Sequence, residues 1–314
     1  MRRSQVVRME QAYLTGQRLI NFAGRHRFDD RRRDSETLVV ILAGYKPYLW
    51  DLSLARLARF LPGDVDVCVT SPGVVHEELD GWARTNGFSY LATSGNYPSL
   101  AQNLTIRHHP RARHILKIDE DVLVAEGFVE GLLDTYRHVE QDGRHWPGFV
   151  APLLNVNGYS YRPFLEAIGA AADYRERFGE LIQAAGPIRA TEDGEAARWI
   201  WERSLPFDEV AARVRAGETG YSTVPHKFSI GAILFERAFW ERFGGFKVRP
   251  FVGGIGVDEA HICAACTTFS RVMAVSHGTL AGHYSFAPQE EIMRRALPAM
   301  RERLALDDVV AEPR

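Results

Sequence analysis

Three consecutive acids, Asp119, Glu120 and Asp121, close the apolar run His114-Ile-Leu-Lys-Ile-Asp-Glu-Asp-Val-Leu-Val124, and the chain turns apolar again at Val122–Val124. Side chains alternate along a strand, so Asp119 and Asp121 would point one way and Glu120 the other. Two like-facing carboxylates at a strand's end suit a hard divalent cation, which takes oxygen ligands. The C-terminal ends of strands are also where α/β folds gather their ligands. The same acids would equally serve a solvated turn or a helix N-cap.

Other residue groups could join them. Asp258 and Glu259 open an apolar stretch, as general bases or as acids that stabilise a helix N-terminus. His277 and His283 come late in the chain, and either could ligate a metal or simply sit satisfied in the structure. Cys263-Ala-Ala-Cys266 is a lone pair of cysteines in an apolar run, which reads as buried structure rather than as a zinc or redox centre. Asn155, Asn157, Tyr159 and Tyr161 cluster in a way that suits sugar rings and hydroxyls, or a polar turn.

These groups need a scaffold. Thr37–Leu42, Val65–Thr70, Phe88–Ala92 and Arg113–Ile118 read as strands. Between them Leu49–Leu61, Val75–Asn86 and Ser99–His108 have helical spacing, each ended by Pro or Gly. The alternation predicts parallel βαβ units with helices packed on both faces, an α/β fold with a Rossmann-like, mostly parallel sheet. After the acids, a helix over Phe128–Glu140 leads to a strand over Gly148–Leu154. Residues 156–224 are rich in Ala, Glu and Arg and read as a helical insertion, with helices at Phe164–Phe178 and Ala196–Trp201. Lys227–Phe235 resumes as a strand and Arg237–Phe243 as a helix. Gly253-Gly-Ile-Gly256 reads as a flexible loop before a helix over residues 259–269. Val272–Val275 is a last strand before a loop that holds His283. The expected organisation is a basic leader at 1–36, two functional halves at 37–155 and 225–290 around the insertion, and a C-terminal helix and tail at 291–314. The leader is expected to be helical or partly disordered, and 306–314 to be disordered.

Composition bounds the possibilities. The 314 residues are 46% hydrophobic and 25% charged, a globular balance, and the net charge of -2 leaves no general basic footprint for nucleic acid. No segment approaches the roughly 20 apolar residues of a membrane span. The beginning of the chain lacks the apolar core of a signal peptide, and three cysteines suit a reducing setting. A cytoplasmic protein is the expectation.

Taken in order, these features resemble a GT-A fold glycosyltransferase of the family-2 type, over roughly residues 37–155 and 225–285. Ser99-Leu-Ala-Gln-Asn-Leu-Thr-Ile106 up to Ile118-Asp-Glu-Asp121 resembles that family's Ala-Arg-Asn helix followed by its DxD strand. Ala232–Phe246 resembles the acceptor-side helix ending in Gly-Gly-Phe. Asp258-Glu259-Ala-His-Ile262 resembles its Glu-Asp-x-Asp-Leu segment, although His261 stands where the second Asp is expected and the first two acids are reversed or shifted by one.

The resemblance implies a metal-dependent, hexosyltransferase-like enzyme that moves a sugar from a nucleoside-diphosphate sugar to a hydroxyl on a small-molecule or glycan acceptor. An inverting transfer is the expectation. Mn2+ or Mg2+ would be held by Asp119, Asp121 and His283, neutralising charge on the leaving diphosphate. Ala43, Gly44, Tyr45 and Lys46 would sit under the base and ribose of the donor, and Thr70, at the exit of the second strand, would contact the base. Asn103, Lys117, Asp119 and Glu120 would complete the donor site. Asp258 or Glu259 would take the acceptor's proton. The sequence leaves the choice between them open, as it does the oligomeric state.

Two other readings compete. A nucleotidyltransferase would use a similar sheet and metal, but Ala43-Gly-Tyr-Lys-Pro47 is a poor version of its glycine-rich basic loop. A non-catalytic sugar- or nucleotide-binding protein is kept open by the altered acids at 258 and 259. A dehalogenase-type phosphatase fits less well, because three strands precede the acids and Val122, not Thr, follows them.

Overall fold

The computed structural model describes residues 15–217, 220–249 and 256–306. Residues 1–14 of the expected leader, the expected glycine loop as far as residue 255, and the tail from 307 lie outside the described residues. Helix α1 covers residues 15–22. Strands β1 (His26–Asp29) and β2 (Thr37–Leu42) are followed by a 3-10 turn at Pro47–Leu49 and helix α2 (Trp50–Phe60). Next come β3 (Asp66–Pro72), α3 (Glu77–Thr85), β4 (Ser89–Thr93) and α4 (Pro98–His108). The acid run occupies β5 (His114–Asp119) and β6 (Val122–Val124), and α5 (Phe128–Gln141) and β7 (Pro147–Leu154) follow. The insertion holds α6 (Tyr161–Ala167), α7 (Ala171–Phe178), α8 (Arg189–Glu192), α9 (Gly194–Arg203) and α10 (Phe207–Ala216). The chain then forms β8 (Tyr221–Thr223), β9 (Ala232–Glu236), α11 (Arg237–Phe243), α12 (Val257–Thr268), β10 (Val272–His283) and α13 (Glu290–Leu304).

These elements make two compact units that interleave along the chain. The first comprises residues up to Gly44, Asp64–Ile115 and Glu236–Ala265; the second comprises Tyr45–Gly63, Leu116–Phe235 and residues from Cys266 onward.

In the first unit the strand order is β1-β4-β3-β2. Strands β2, β3 and β4 are parallel neighbours, as the βαβ reading requires. All of β3 and β4 is buried, the mark of a strand covered on both faces, which is why these segments are short apolar runs without alternation. Strand β1 pairs antiparallel with β4, His26 opposite Thr93. The expectation of a helical or disordered leader over 1–36 is therefore corrected at residues 26–29. Their period-2 signal is too short, and too rich in charge, to stand out in the sequence.

In the second unit β7 and β10 run parallel, and β6, β8 and β9 join them antiparallel. Strand β10 is much longer than the expected Val272–Val275. It continues through Gly282 to His283, so the expected loop around His283 is an ordered strand paired with β6. The expected helix over 164–178 is two helices, because Gly169 turns the chain at φ +73 between them. Helix α13 buries Met293, Leu297, Met300 and Leu304, one stripe at helical spacing. No described helix is long and apolar enough to cross a membrane.

Candidate functional site

Within the second unit, the acid turn is pinned on both sides. Asp119 ends β5, and its backbone N–H donates to Gly231 O at 2.8 Å. On the other side Tyr284 N–H donates to Asp121 O at 2.9 Å, and His283 lies opposite Val122 in the β6–β10 ladder. Glu120 and Asp121 are turn residues, so the strand alternation expected for the acids does not extend through them. Each acid meets a different partner.

Asp121 is buried, 4% exposed. Its Oδ2 lies 2.5 Å from Lys46 Nζ and 3.4 Å from His283 Nε2. Burial alone would raise the Asp121 pKa, but the adjoining His283 and Lys46 outweigh it and hold the carboxyl well below the usual carboxylate range. Lys46 reaches Asp121 from the loop before the Pro47–Leu49 turn, and burial of its ammonium is likewise outweighed by the carboxylate, which raises its pKa.

Asp119 was expected as a metal ligand, but its Oδ1 lies 2.7 Å from Lys117 Nζ. Lys117 does share the strand face of Asp119. It is not turned to a ligand, since it also donates to Ile230 O at 2.6 Å. Glu120 is turned into the protein. Its Oε1 accepts from Tyr45 N–H at 2.8 Å and its Oε2 from Trp50 Nε1–H at 2.5 Å, tying the loop before α2 to the acid turn. Glu120, expected in the donor site, thus anchors the loop that carries Tyr45 and Lys46.

His283 is the member of the late pair that meets Asp121. Its backbone N–H donates to Asn155 Oδ1 at 3.0 Å, and its Nδ1 lies 2.9 Å from Val156 O. A carbonyl can only accept, so Nδ1 carries a hydrogen and Nε2 is the nitrogen that faces Asp121. Nε2 and the carboxylate Oδ2 stand 3.4 Å apart, close enough for a proton or a cation to be shared between them. A metal-bound histidine is held in this way, its other nitrogen donating to a carbonyl. The pair therefore fits a divalent cation. Among the described residues, however, no group of three or more His, Cys, Asp or Glu side chains is drawn together as a metal cage. Of the expected Asp119, Asp121 and His283, the structure brings Asp121 and His283 together, while Asp119 pairs with Lys117.

The helical insertion supports this arrangement. Trp201 on α9 donates from Nε1 to both His283 O and Tyr284 O, at 3.1 and 3.0 Å. A Cβ at position 282 would lie 2.3 Å from the Trp201 ring, so Gly282 is the residue that lets the indole close over β10. Asn155 is fully buried and joins His283 N–H to Ser204 Oγ. Asn157 caps the following turn, accepting from Tyr159 N–H and Ser160 N–H. Tyr159 and Tyr161 donate to the carbonyls of Thr223 and Ile182. This cluster, read as a sugar platform or a polar turn, is a turn. Beside it Ser285 Oγ is buried with no hydrogen-bond partner, while Ser285 O accepts from Lys46 Nζ at 3.2 Å.

The remaining expected residues belong to the first unit. Ala43 is buried at the end of β2, its N–H bonded to Thr70 O. Gly44 takes φ +149 and its carbonyl accepts from His76 Nε2 at 2.8 Å. Thr70 is fully buried, with its hydroxyl on that of Thr105. Asn103, expected in the donor site, donates from Nδ2 to Asn21 O and Phe246 O and accepts at Oδ1 from Trp240 Nε1–H and Phe246 N–H, so its amide clamps the Gly-Gly-Phe turn. Gly245 takes φ +77, a conformation that favours glycine, and a Cβ there would lie 3.0 Å from Phe22 Cζ and 3.1 Å from Asn103 Oδ1, a tight fit.

Of the two candidate bases, Asp258 is buried and accepts from Gln102 Nε2–H at 2.7 Å. Gln102 Oε1 is itself buried without a partner. His261, standing where an Asp was expected, accepts at Nδ1 from Lys247 N–H, and burial, with Lys247 and Arg249 nearby, pushes its pKa down to about 4. The three cysteines are buried. Lys46, expected with Ala43 to Tyr45 under the base and ribose, pairs with Asp121 instead. Trp50, Gln102 and Trp201 escaped the sequence reading as site residues, because their partners Glu120, Asp258 and His283 lie 70 or more positions away.

No protein-family model matches the chain, and no curated protein matches it in sequence. Solved structures do resemble it. A mannosyltransferase from Pyrobaculum calidifontis, in complex with GDP-Man and Mn2+, is 14% identical, with a TM-score of 0.47 over 96% of this chain and 75% of the other. Residues 1–349 of S. aureus TarS are 9% identical, with a TM-score of 0.48 over 88% of this chain and 67% of the other. GalNAc-T7 with UDP, GalNAc and Mn2+ is 12% identical, with a TM-score of 0.45 over 84% of this chain and 48% of the other.

Proposed function

We propose that this chain is a glycosyltransferase that moves a sugar from a nucleoside-diphosphate sugar to a hydroxyl acceptor, with Mn2+ or Mg2+ at Asp121 and His283. The observation that carries the reading is the facing pair itself. His283 Nε2 and Asp121 Oδ2 stand 3.4 Å apart, with Nδ1 of the imidazole committed to a carbonyl. Two protein ligands suit a cation whose other positions are taken by phosphate oxygens and water, as is common for Mg2+ at phosphate sites. A bound cation would supply Lewis-acid stabilisation of the charge that builds on a leaving diphosphate.

The chain's own residues do the rest. Trp201, Asn155 and Gly282 fix the imidazole, and Glu120 fixes the loop that carries Tyr45 and Lys46. Asp258 is assigned as the base that takes the acceptor's proton in an inverting transfer. Its burial and its bond from Gln102 favour it over Glu259. Gln102 Nε2–H holds Asp258 Oδ2.

The test is release of nucleoside diphosphate from UDP-, GDP- and dTDP-sugars in Mn2+, with a panel of sugar acceptors. Acceptor-dependent release that stops on Asp121→Asn supports the assignment. Tight donor binding with no release from any combination favours the non-catalytic binding protein.

A further inference from the structure

Both outer acids of the Asp119-Glu120-Asp121 turn already carry a lysine, but the two pairs differ. Lys117 is anchored in β5 with its side chain 3% exposed, and its ammonium is shared between Asp119 and the Ile230 carbonyl. Lys46 sits in the loop ahead of the Pro47–Leu49 turn with its side chain 22% exposed, and its ammonium bonds Asp121 Oδ2 at 2.5 Å and Ser285 O at 3.2 Å. In the first pair the lysine is the buried partner and Asp119 is 30% exposed. In the second the acid is buried and the lysine, on its flexible stem, reaches solvent.

Asp121 Oδ2 is also the oxygen that faces His283 Nε2. A divalent cation between those two atoms would have to share that oxygen with the Lys46 ammonium, and two like charges that close repel. Resting on the reading of Asp121 and His283 as cation ligands, the geometry points to Lys46 as a built-in counter-ion of Asp121, which a divalent cation must displace in order to bind. The displaced ammonium is then free to meet an anion, and in a donor carrying a diphosphate that anion arrives with the metal. Lys46 thereby lowers the affinity for metal alone and couples loading of the cation to loading of the phosphates.

The test uses Mn2+ alone, titrated into the full chain and followed by the electron paramagnetic resonance signal of the free ion. Lys46→Met and Lys46→Gln remove the competing charge and are expected to bind Mn2+ about tenfold or more tightly than the unchanged chain. Lys46→Arg keeps a competing cation and is expected to stay close to it, while Asp121→Asn abolishes binding. Circular dichroism checks that each variant is folded, and the two uncharged variants guard against one failing. Equal affinity in the uncharged variants and the unchanged chain, with Asp121→Asn still abolishing binding, would overturn the role of Lys46 and leave the cation site standing. No saturable Mn2+ binding in any variant, or binding that survives Asp121→Asn, would overturn the cation site and the proposal together.

Discussion

Trp201 in the helical insertion donates its single indole N–H to the backbone carbonyls of both His283 and Tyr284, on the strand that presents His283 to Asp121. The insertion is thus part of the site's framework and not an ornament on it. Trp201→Phe removes the bond and keeps most of the bulk; Trp201→Ala also opens a cavity. The alanine change is expected to cost about 3–5 kcal/mol of stability, and the phenylalanine change about 1–2 kcal/mol. Urea unfolding measures both. If Trp201→Phe leaves stability and Mn2+ affinity unchanged, the buttress is not needed.

Asn103 makes four hydrogen bonds from one buried amide, two of them to Phe246. Asn103→Ala strands several buried polar groups at once, each worth about 1–3 kcal/mol when unsatisfied. Destabilisation of about 3 kcal/mol or more is expected, with the affinity for donor unchanged once the variant is folded. A stable variant with weakened donor binding would support the donor contact expected of Asn103 instead.

That contrast shows what sequence could and could not tell. The parallel strands β2, β3 and β4 and the intervening helices were legible within a residue or two, because a strand buried on both faces is an unbroken apolar run and Pro or Gly ends each helix. The acid turn was legible as a cluster. The partner of each acid was not. Strand alternation predicted that Asp119 and Asp121 would act together, but the chain leaves strand geometry after Asp119, and the carboxylates turn to Lys117 and Lys46 respectively. Asn103, Asn155 and Asn157 read as ligand groups because their amides are polar. Their burial, and the backbone groups they satisfy, come from residues far along the chain. His283 was expected in a loop, since the approach Ala281-Gly282 hides a strand whose small residue serves Trp201.

Asp258 and Glu259 should separate cleanly. Asp258→Asn is expected to lower turnover by about 10²–10⁴-fold, the usual contribution of a general base, with donor affinity unchanged. Glu259→Gln is expected to change turnover by less than about threefold, well short of that range. Gln102→Leu removes the bond to Asp258 and should shift the pH profile of turnover while Gln102→Asn partly restores it. Equal losses at 258 and 259, with no change in pH profile for Gln102→Leu, would contradict the assignment.

His261 gives a pH dependence of stability with a defined sign. It is held neutral in the fold, its pKa pushed from 6.5 down to about 4 by burial first and by Lys247 and Arg249 second. In the unfolded chain it protonates near its ordinary value. Below that pH the unfolded state binds more protons than the folded one, so the contribution is complete above about pH 6.5 and falls away as pH drops towards 4. His261→Asn can keep the bond from Lys247 N–H without titrating. Denaturation midpoints between pH 7 and 4 should fall less in that variant than in the unchanged chain; parallel curves would show that His261 does not titrate differently on folding.

The central claim is that Asp121 and His283 hold a divalent cation that serves a nucleoside-diphosphate sugar. The most direct test is thermal unfolding with UDP-, GDP- and dTDP-sugars, each with Mn2+ and with excess EDTA, on the unchanged chain and on Asp121→Asn. A ligand that binds only the folded state raises the melting temperature. The predicted result is a rise for one nucleotide that requires Mn2+ and is lost in Asp121→Asn. A rise of the same size in EDTA, or one that Asp121→Asn retains, would contradict it.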